Sequence, residues 1–276
     1  MAQRMVAQRL VAQRLVDWFE AAKPYVVALS GGVDSAVVAA AGHRSPAEVL
    51  AVTARSPSGA ERELSDALQV VESLGIPHAI VDTSEIDDPR YRVNDARRCY
   101  YCKSQLFAAI RSKFPQAIIV TGTNLDDLSD YRPGLVAADE NQVRAPLAEL
   151  GIDKRGVRQL AELWSLHLAD KPASPCLASR LAHGVAVTPQ RLAMVEQAEA
   201  VIAACGIREF RVRFHDGELA RIEVGASDLE QLVVPETRAQ ISQALHQIGF
   251  RFVTLDLDGF RSGSLNPVFQ IKPAAK

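Results

Sequence analysis

Short apolar runs alternate with helix-like patterns through the first two-thirds of the chain. Four runs are typical of buried strands: Tyr25–Leu29, Val49–Ala54, His78–Asp82 and Ala117–Thr121. Three helix-like segments follow the first, second and third of these runs: Ser35–Ala41, Glu61–Leu74 and Lys103–Lys113. This alternation predicts an α/β fold, with a parallel sheet covered by helices on both faces. Ligands in such sheets bind beyond the carboxyl ends of the strands.

The pattern changes after Pro172–His183, a segment rich in proline and serine that predicts a loop. Thr188 and Pro189 then predict a helix start, as N-cap and first-turn residues. The elements predicted from here on are a helix, two hairpin strands around Asp216-Gly217, a second helix and a last strand: 188–205, 209–214, 219–224, 235–248 and 251–257. This order predicts a second, smaller α+β domain.

These patterns divide the chain into three predicted segments. Residues 1–20 form a helical extension, 21–180 the α/β domain, and 181–276 an α+β domain for substrate binding or oligomerisation. The extension repeats Ala-Gln-Arg at 2–4, 7–9 and 12–14. A five-residue period places successive arginines about 140° apart on a helix, so they do not share a face. We therefore assign no chemistry to the extension.

Composition and charge narrow the class of protein. The chain has 276 residues, of which 48% are hydrophobic and 23% charged, a soluble globular balance. The net charge of −2 does not suggest nucleic-acid binding, and no apolar run reaches the roughly 20 residues that span a membrane. The N-terminus has no secretory signal pattern, so we predict a cytoplasmic protein whose four cysteines are thiols or ligands rather than structural disulfides.

The segment Ser30-Gly31-Gly32-Val33-Asp34-Ser35 lies between a predicted strand and a predicted helix. Its glycines let the backbone approach phosphates, and its amides and the helix N-terminus attract them. The two serines add hydroxyl donors. The segment lacks the lysine of a Walker A loop and is not a G-x-G-x-x-G motif. The simpler alternative is a glycine-rich turn, but the full segment in this context favours a phosphate loop, with Ser30, Gly31, Gly32, Asp34 and Ser35 as ATP-binding residues.

A second polar loop, Gly122–Asp127, follows the fourth predicted strand. Gly122, Asn124 and Asp127 suit nucleotide or metal contacts, and Asn124 or Asp127 also suits a helix cap. Both interpretations can hold for the same residues.

Two cysteines, Cys99 and Cys102, have the C-x-x-C spacing of residues that share a metal or a disulfide. The alternative is a pair of partly buried thiols. Arg98 and Lys103 are expected to favour their thiolates. Cys205 follows apolar residues on a predicted helix and is expected in the core.

Cys176 lies in a loop with proline, serine and charge, Pro175-Cys176-Leu177-Ala178-Ser179-Arg180. From its place in this loop, we expect Arg180 either to lower the pKa of this thiol or to hold an anionic substrate.

Alternation along the predicted strand 209–214 separates Arg211 and Arg213 from the apolar Phe210, Val212 and Phe214. One interpretation is a solvated face whose arginines pair with Glu223 across the hairpin. The other is a clamp for a phosphate, because guanidinium groups match phosphate oxygens.

The Ser30–Ser35 segment resembles the signature of the PP-loop ATP pyrophosphatase superfamily. The resemblance implies cleavage of ATP between the α- and β-phosphates, with an adenylated substrate and free pyrophosphate as products. It also implies Mg²⁺ on the phosphates. In this superfamily a loop similar to Gly122–Asp127 adjoins the nucleotide, so we count Gly122, Asn124 and Asp127, together with Thr53 in the second predicted strand, as ATP-binding.

Five motifs in one order give a narrower resemblance, covering roughly residues 25 to 260: the loop, Arg98–Lys103, Arg144–Leu147, Pro175–Arg180 and Arg211–Arg213. Together they resemble the ATP-dependent sulfur transferases that make the nickel-pincer nucleotide cofactor of lactate racemase. The resemblance implies adenylation of pyridinium-3,5-biscarboxylic acid mononucleotide and conversion of each carboxylate to a thiocarboxylate. It makes Cys176 the sulfur-bearing residue, with Ser179 and Arg180 as catalytic residues, and Glu199, Arg211 and Arg213 as substrate-binding ones.

The family has two sulfur sources. In one branch the cysteine that matches Cys176 gives up its own sulfur; in the other, three cysteines hold a [4Fe-4S] cluster that carries an extra sulfide. Cys99 and Cys102 beside Cys176 indicate the cluster branch. The sulfur then comes from free sulfide or a protein donor.

Three other functions fit parts of the pattern. A tRNA thiolase shares the loop and sometimes three cysteines, but it should need a basic RNA-binding surface. An amidating PP-loop ligase would make the cysteines incidental, and a regulatory nucleotide-binding protein would use them as a sensor. The favoured hypothesis has a small mononucleotide substrate, no nucleic acid or membrane partner, and a homo-oligomeric state implied by the family.

Overall fold

The four strands predicted in the first part of the chain form one parallel sheet. Their bounds are β1 Pro24–Ala28, β2 Glu48–Arg55, β3 His78–Asp82 and β4 Ile118–Val120. In the order β3-β2-β1-β4, the chain adds β2 and β3 on one side of β1 and then returns to add β4 on the other side. The order of the strands therefore reverses between β1 and β4. Open parallel sheets bind ligands in the crevice at such a reversal. The phosphate loop follows β1 and the Gly122 loop follows β4, so both loops belong to this crevice.

The structure is a computed structural model that describes residues 2–129, 133–169, 171, 175–261 and 265. The chain divides into two units, Met1–Cys176 and Leu177–Lys276. The predicted division into a helical extension, an α/β domain and an α+β domain for substrate binding or oligomerisation stays a prediction. Part of the loop predicted at Pro172–His183 lies outside the described residues.

Helices cover both faces of the parallel sheet. The α-helices of the first unit are α1 Ala2–Asp17, α2 Val33–Arg44, α3 Glu61–Leu74, α4 Pro89–Arg92, α5 Arg98–Lys113, α6 Pro133–Glu140, α7 Pro146–Glu149 and α8 Lys154–Leu163. Alternate residues of β1 enter different cores, because successive strand side chains point to opposite faces. Val27 packs with α1, α2 and α8 on one face, and Val26 packs with α5 on the other. The predicted α/β fold is confirmed.

The N-terminal helix α1 is part of the first of these cores. Leu15 is fully buried and Phe19, just beyond the helix, is 2% exposed. Trp18 Nε1 donates to Glu149 Oε2 at 3.0 Å, and the Arg144 guanidinium lies 4.8 Å from the Trp18 ring centroid. The segment without assigned chemistry therefore contributes to the stability of the sheet unit.

Leu15→Ala should lower the free energy of unfolding by about 2–5 kcal/mol, because it removes a fully buried side chain and leaves a cavity. Leu10→Ala is the matched control on the same helix, since Leu10 is 62% exposed. Urea denaturation of both variants checks the difference. Equal midpoints for the two variants would contradict the packing of α1 described above.

The second unit contains a three-stranded sheet with helices. Its elements are α9 Pro189–Ala204, β5 Phe210–His215, β6 Leu219–Val224, α10 Leu229–Val233, α11 Pro235–Ile248 and β7 Phe252–Leu255. β5 and β6 form the predicted antiparallel hairpin, and β7 pairs parallel to β6. α9 packs against β5 and α11. Phe210, Val212 and Phe214 are buried.

The prediction that a helix begins at Lys103 was wrong. α5 begins at Arg98, so both cysteines of the C-x-x-C motif lie in its first turns. The residue before it, Arg97, makes no side-chain cap hydrogen bond. A sequence signal for this helix start was therefore lacking, because no Ser, Thr, Asp or Asn stands at the N-cap.

Candidate active site

The phosphate loop between β1 and α2 is held by its own serines. Ser35 Oγ accepts a hydrogen bond from the Ser30 amide at 3.1 Å and lies 3.2 Å from Ser30 Oγ. The same hydroxyl donates to the Gly32 carbonyl at 3.0 Å. These contacts fix the turn at the N-terminus of α2, where free amides favour an anion. The loop is thus held in shape by hydrogen bonds among its own residues.

Two glycines allow the close packing around this loop. Gly31 has φ +74°, and a Cβ there would lie 2.2 Å from the Glu63 carbonyl oxygen of α3. A Cβ on Gly122 would lie 2.5 Å from the Ser35 amide nitrogen. The backbone after β4 therefore touches the first turn of α2, which joins the two predicted ATP-binding loops. Side chains larger than hydrogen do not fit at either position without a backbone shift.

Asp34 links the phosphate loop to two other segments. Asn124 Nδ2 donates to Asp34 Oδ1 at 3.0 Å, and the Lys154 ammonium pairs with Asp34 Oδ2. Sequence analysis missed Lys154, which opens α8 120 residues later and carries no motif of its own. The structure thus adds a cation beside the loop, which has none within its six residues.

Asn124 also caps its own turn. Its Oδ1 accepts from the amides of Asp126 and Asp127 at 2.9 and 3.3 Å, and Asp127 Oδ2 accepts from the Asn124 amide at 3.0 Å. Asn124 is 4% exposed. The capping interpretation of this segment is confirmed, and the Asn124 amide also joins the segment to Asp34 of the phosphate loop. The nucleotide contacts of Asn124 and Asp127 stay predictions.

Thr53 is buried in β2 and paired with a histidine. Thr53 Oγ1 lies 3.0 Å from His78 Nε2 on the neighbouring strand β3. Burial lowers the pKa of His78, which favours the neutral ring. Sequence analysis missed His78, since the strand prediction carried no cross-strand register. The assignment of Thr53 to ATP stays a prediction.

Lys171 contacts the phosphate loop from a distant part of the chain. Its Nζ donates to the Gly31 carbonyl and to Glu63 Oε2, each at 2.8 Å, and pairs with Asp66. The Lys171 side chain is only 13% exposed. This second missed cation lies five residues before Cys176.

The three predicted ligand cysteines belong to the first unit. Cys99 is exposed, and Arg98 Nη2 donates to its Sγ at 3.8 Å. Burial, with Cys176 as the next cause, raises the pKa of the Cys102 thiol to about 12. The expectation that Arg98 and Lys103 favour both thiolates was therefore wrong for Cys102, because desolvation outweighs the nearby cation. The electrostatic effects of Cys176 and Cys99 on Cys102 place the three thiols in one region.

Buried polar residues surround this thiol region. Tyr91 is 1% exposed, and its hydroxyl lies 2.5 Å from Ser58 Oγ. Burial and the neighbouring Cys176 raise the pKa of Tyr91. Glu85 is also 1% exposed, and its Oε1 has no hydrogen-bond partner among the described residues. None of these three residues was identified from the sequence.

In the described part of the chain, no three His, Cys, Asp or Glu side chains lie close enough to bind a single metal ion. A four-iron cluster is wider than one ion, so its ligand sulfurs lie farther apart than the ligands of one ion. The donor set of Cys99, Cys102 and Cys176 matches a cluster in residue type, and binding of a cluster by these three residues stays a prediction. The expectation that Cys205 lies in the core needs correction, because it is half-buried and follows the last residue of α9.

In the second unit, Arg180 and Glu199 form a buried bidentate ion pair. The distances are 2.9 Å from Nε to Oε1 and 3.0 Å from Nη2 to Oε2, and Arg180 is 2% exposed. Glu199 Oε1 also accepts from the Val212 amide of β5 at 3.2 Å. Arg180 Nη1 donates to Ser179 Oγ at 3.3 Å. The structure thus brings three of the predicted site residues together.

The two hairpin arginines are buried, so the interpretation as a solvated face was wrong. Arg213 Nε donates to Glu223 Oε2 at 2.9 Å, and Arg221 Nη2 donates to Glu223 Oε1 at 2.8 Å. The predicted pairing of a hairpin arginine with Glu223 is confirmed for Arg213. Glu223 is fully buried and contacts the guanidinium groups of both Arg213 and Arg221. Arg211 lies over the Phe260 ring, 5.1 Å from its centroid. The phosphate-binding role of Arg211 and Arg213 stays a prediction.

The family model of NAD synthase matches residues 9–114. An uncharacterised protein of Synechocystis is 41% identical over 250 residues, 88% of this chain and 92% of that protein. The pyridinium-3,5-bisthiocarboxylic acid mononucleotide synthase of Lactiplantibacillus plantarum is 34% identical over 245 residues, 87% of this chain and 88% of the synthase. A tRNA-specific 2-thiouridylase of Beijerinckia indica is 31% identical over 192 residues, 54% of this chain and 44% of that enzyme.

The parallel sheet, the loop after β1 and these similarities define an α/β enzyme of the PP-loop class that uses ATP. The chain belongs to the family of the pyridinium-3,5-bisthiocarboxylic acid mononucleotide synthase, and it is an ATP-dependent sulfur transferase of that type. Among the described residues, every helix is too short or too polar to cross a lipid bilayer.

Proposed function

We propose that this enzyme adenylates the carboxylates of pyridinium-3,5-biscarboxylic acid mononucleotide and converts them to thiocarboxylates. The observation that carries the proposal is the 34% identity to the Lactiplantibacillus plantarum synthase over 87% of the chain. The phosphate loop, the grouped thiols and the buried arginines are the chemistry that such a reaction needs. AMP and pyrophosphate leave in the process, so each carboxylate oxygen departs as part of a good leaving group.

The phosphate loop and its neighbours carry the adenylation half of the proposal. The α2 N-terminus and the loop amides hold the ATP phosphates, with Mg²⁺ neutralising charge. Asp34 lies within the loop itself, and its carboxylate would bind that ion. The Asn124 side-chain amide orients the Asp34 carboxylate through a hydrogen bond of 3.0 Å. Lys154 supplies the positive charge that a Walker A lysine supplies in other nucleotide-binding loops.

The thiols carry the sulfur half of the proposal. A four-iron cluster held by three thiolates would leave one iron open for an external sulfide. Cys99, Cys102 and Cys176 would be its protein ligands. The alternative is that Cys176 gives its own sulfur, which limits each chain to one transfer.

The second unit binds the substrate in this proposal. Arg211 and Arg213 hold the phosphate of the mononucleotide, because guanidinium groups bind phosphate oxygens in pairs. Glu223 and Glu199 orient Arg213 and Arg180 through hydrogen bonds of 2.9 Å. The enzyme is a homo-oligomer in this proposal, as the family resemblance implies.

A tRNA thiolase is the second candidate, supported by the 31% identity to the tRNA-specific 2-thiouridylase. That match covers only 54% of the chain, and the net charge of −2 is not typical of an RNA-binding protein. The small-molecule substrate is therefore favoured.

Incubation with Mg-ATP, sulfide and the biscarboxylate mononucleotide tests the function. We expect AMP and pyrophosphate release that depends on the substrate, and a product in which sulfur replaces oxygen in each carboxyl group, detected by mass spectrometry. Transfer RNA serves as the control acceptor and should stay unmodified. Release of pyrophosphate only with tRNA would overturn the proposal in favour of the thiolase.

A further inference from the structure

The Asp34 carboxylate of the phosphate loop is engaged at both of its oxygens. Asn124 Nδ2 donates to Oδ1 at 3.0 Å, and the Lys154 ammonium pairs with Oδ2. The side chains of Lys154 and Asp34 are 32% and 24% exposed, so ions from solvent reach the pair. A metal ion that binds Asp34 Oδ2 must therefore compete with Lys154.

The type of donor at this position suits Mg²⁺. This ion prefers hard oxygen ligands and is usually held by one or two carboxylates together with phosphate oxygens. Asp34 is the acidic residue of the six-residue loop, and it lies in the first turn of α2, where phosphates are attracted. Asp34 therefore fits the ion that accompanies ATP.

We propose that Lys154 and Mg²⁺ bind Asp34 Oδ2 in mutual exclusion, and that the phosphates of ATP decide which of the two is bound. Without nucleotide, Lys154 keeps Oδ2 and free metal binds poorly. With ATP, the ammonium moves to the phosphates and leaves Oδ2 to the metal. The inference rests on the proposed function, because it requires Mg-ATP in the phosphate loop. It makes Lys154 the residue that couples metal binding to nucleotide binding.

Charge accounts for the exclusion and for its relief. A metal ion on Asp34 Oδ2 would lie next to the ammonium, and the repulsion between like charges rises as their distance falls. Asp34 supplies one negative charge, which Lys154 already neutralises. The phosphates of ATP add negative charge at the α2 N-terminus, so both cations then have an anionic partner.

The backbone of Lys154 is anchored, so the exchange needs movement of its side chain alone. Its amide donates to Asp126 Oδ2 at 3.0 Å, and Asp153 caps α8 by accepting from the Gly156 amide at 2.7 Å. A lysine side chain is a compact charge on a flexible stem of four carbons. The ammonium therefore turns from Asp34 to the phosphates while α8 keeps its place.

Electron paramagnetic resonance of Mn²⁺, a paramagnetic substitute for Mg²⁺, tests the exclusion in the full-length protein without nucleotide or acceptor. Lys154→Met should bind Mn²⁺ about tenfold or more tightly than the parent protein, because Asp34 loses its competing cation. Lys154→Arg keeps the charge and should bind Mn²⁺ as weakly as the parent. The double variant Lys154→Met with Asp34→Asn should lose the gain. Lys23→Met is the matched control, because Lys23 is exposed and pairs with Glu20.

Nucleotide should reverse the sign of the effect. With the α,β-methylene analogue of ATP, which is not cleaved between the α- and β-phosphates, the parent protein should bind Mn²⁺ tightly. Lys154→Met should then bind Mn²⁺ about tenfold more weakly than the parent, because no ammonium reaches the phosphates. A residue that only supports the fold would weaken Mn²⁺ binding in both conditions.

Equal Mn²⁺ affinity of Lys154→Met and the parent protein without nucleotide would overturn the proposal, as would a gain that persists in the double variant with Asp34→Asn. Lys154→Gln, which keeps a polar side chain, replaces Lys154→Met with the same expectations if the methionine variant does not fold. Absence of thiocarboxylate formation would overturn only the proposed function, since the Mn²⁺ measurements contain no acceptor.

Discussion

Gly122→Ala is expected to reduce kcat/KM for ATP-dependent pyrophosphate release by about 100-fold, because a displacement of about 1 Å in a catalytic site has effects of that size. The added Cβ would lie 2.5 Å from the Ser35 amide nitrogen and 2.7 Å from the Asp34 carbonyl carbon. Both contacts are backbone atoms, so no side-chain rotation relieves them. The first turn of α2 must move away from β4, and the phosphate loop moves with it. Pyrophosphate release in the presence of the substrate measures the loss.

The free energy of unfolding of Gly122→Ala and a control substitution at a second glycine complete this test. Overpacking of this kind costs about 1–3 kcal/mol, so the Gly122→Ala protein should still fold. Gly59→Ala is the control, because the nearest atom to its added Cβ is the Ser56 carbonyl oxygen at 3.5 Å. That variant should match the parent protein in turnover. Full activity of a folded Gly122→Ala protein would contradict the close contact between the two loops.

Cys176→Ala should eliminate thiocarboxylate formation while substrate-dependent pyrophosphate release continues. Both proposed sulfur sources require this thiol, either as ligand or as donor, whereas adenylation depends on the phosphate loop. Product analysis by mass spectrometry and a pyrophosphate assay on the same samples separate the two halves of the reaction. Cys205→Ala is the matched control, because this half-buried thiol lies at the end of α9 in the second unit. Thiocarboxylate made by Cys176→Ala would remove this residue from the reaction.

The Cys99→Ala and Cys102→Ala variants then distinguish the sulfur sources. Loss of a ligand should abolish repeated turnover with sulfide if a cluster is used, and iron content after anaerobic purification should fall. If Cys176 is the donor, the same variants should still transfer up to one sulfur per chain. Full multiple-turnover activity without either cysteine would exclude a cluster that depends on them.

Most of the fold follows from local sequence patterns. Glu61–Leu74, His78–Asp82 and Pro235–Ile248 have the predicted bounds, since a clear apolar pattern or a Gly or Pro marks their ends. The start of α5 was missed because Arg97 gives no cap signal. Helix boundaries that lack a capping residue depend on tertiary contacts, which no local pattern records.

The site was predictable where its residues form a contiguous motif. The phosphate loop and the Gly122 loop were found because strand, turn and helix signals surround them. Lys154 and Lys171 were not, since their partners Asp34 and Glu63 lie more than 100 residues away. The pKa of Cys102 was also misjudged, because neighbouring charges are visible in a sequence and burial is not.

The contact between Trp18 and Glu149 has a consequence for synthesis of the chain on the ribosome. The two residues are 131 positions apart. At translation rates of about 5–20 residues per second, roughly 7–26 s pass between their appearance. During that interval Leu15 and Phe19 await part of their packing surface. The N-terminal helix therefore completes its packing only after the chain has been made past residue 149, and slowed elongation before that point should lengthen the interval.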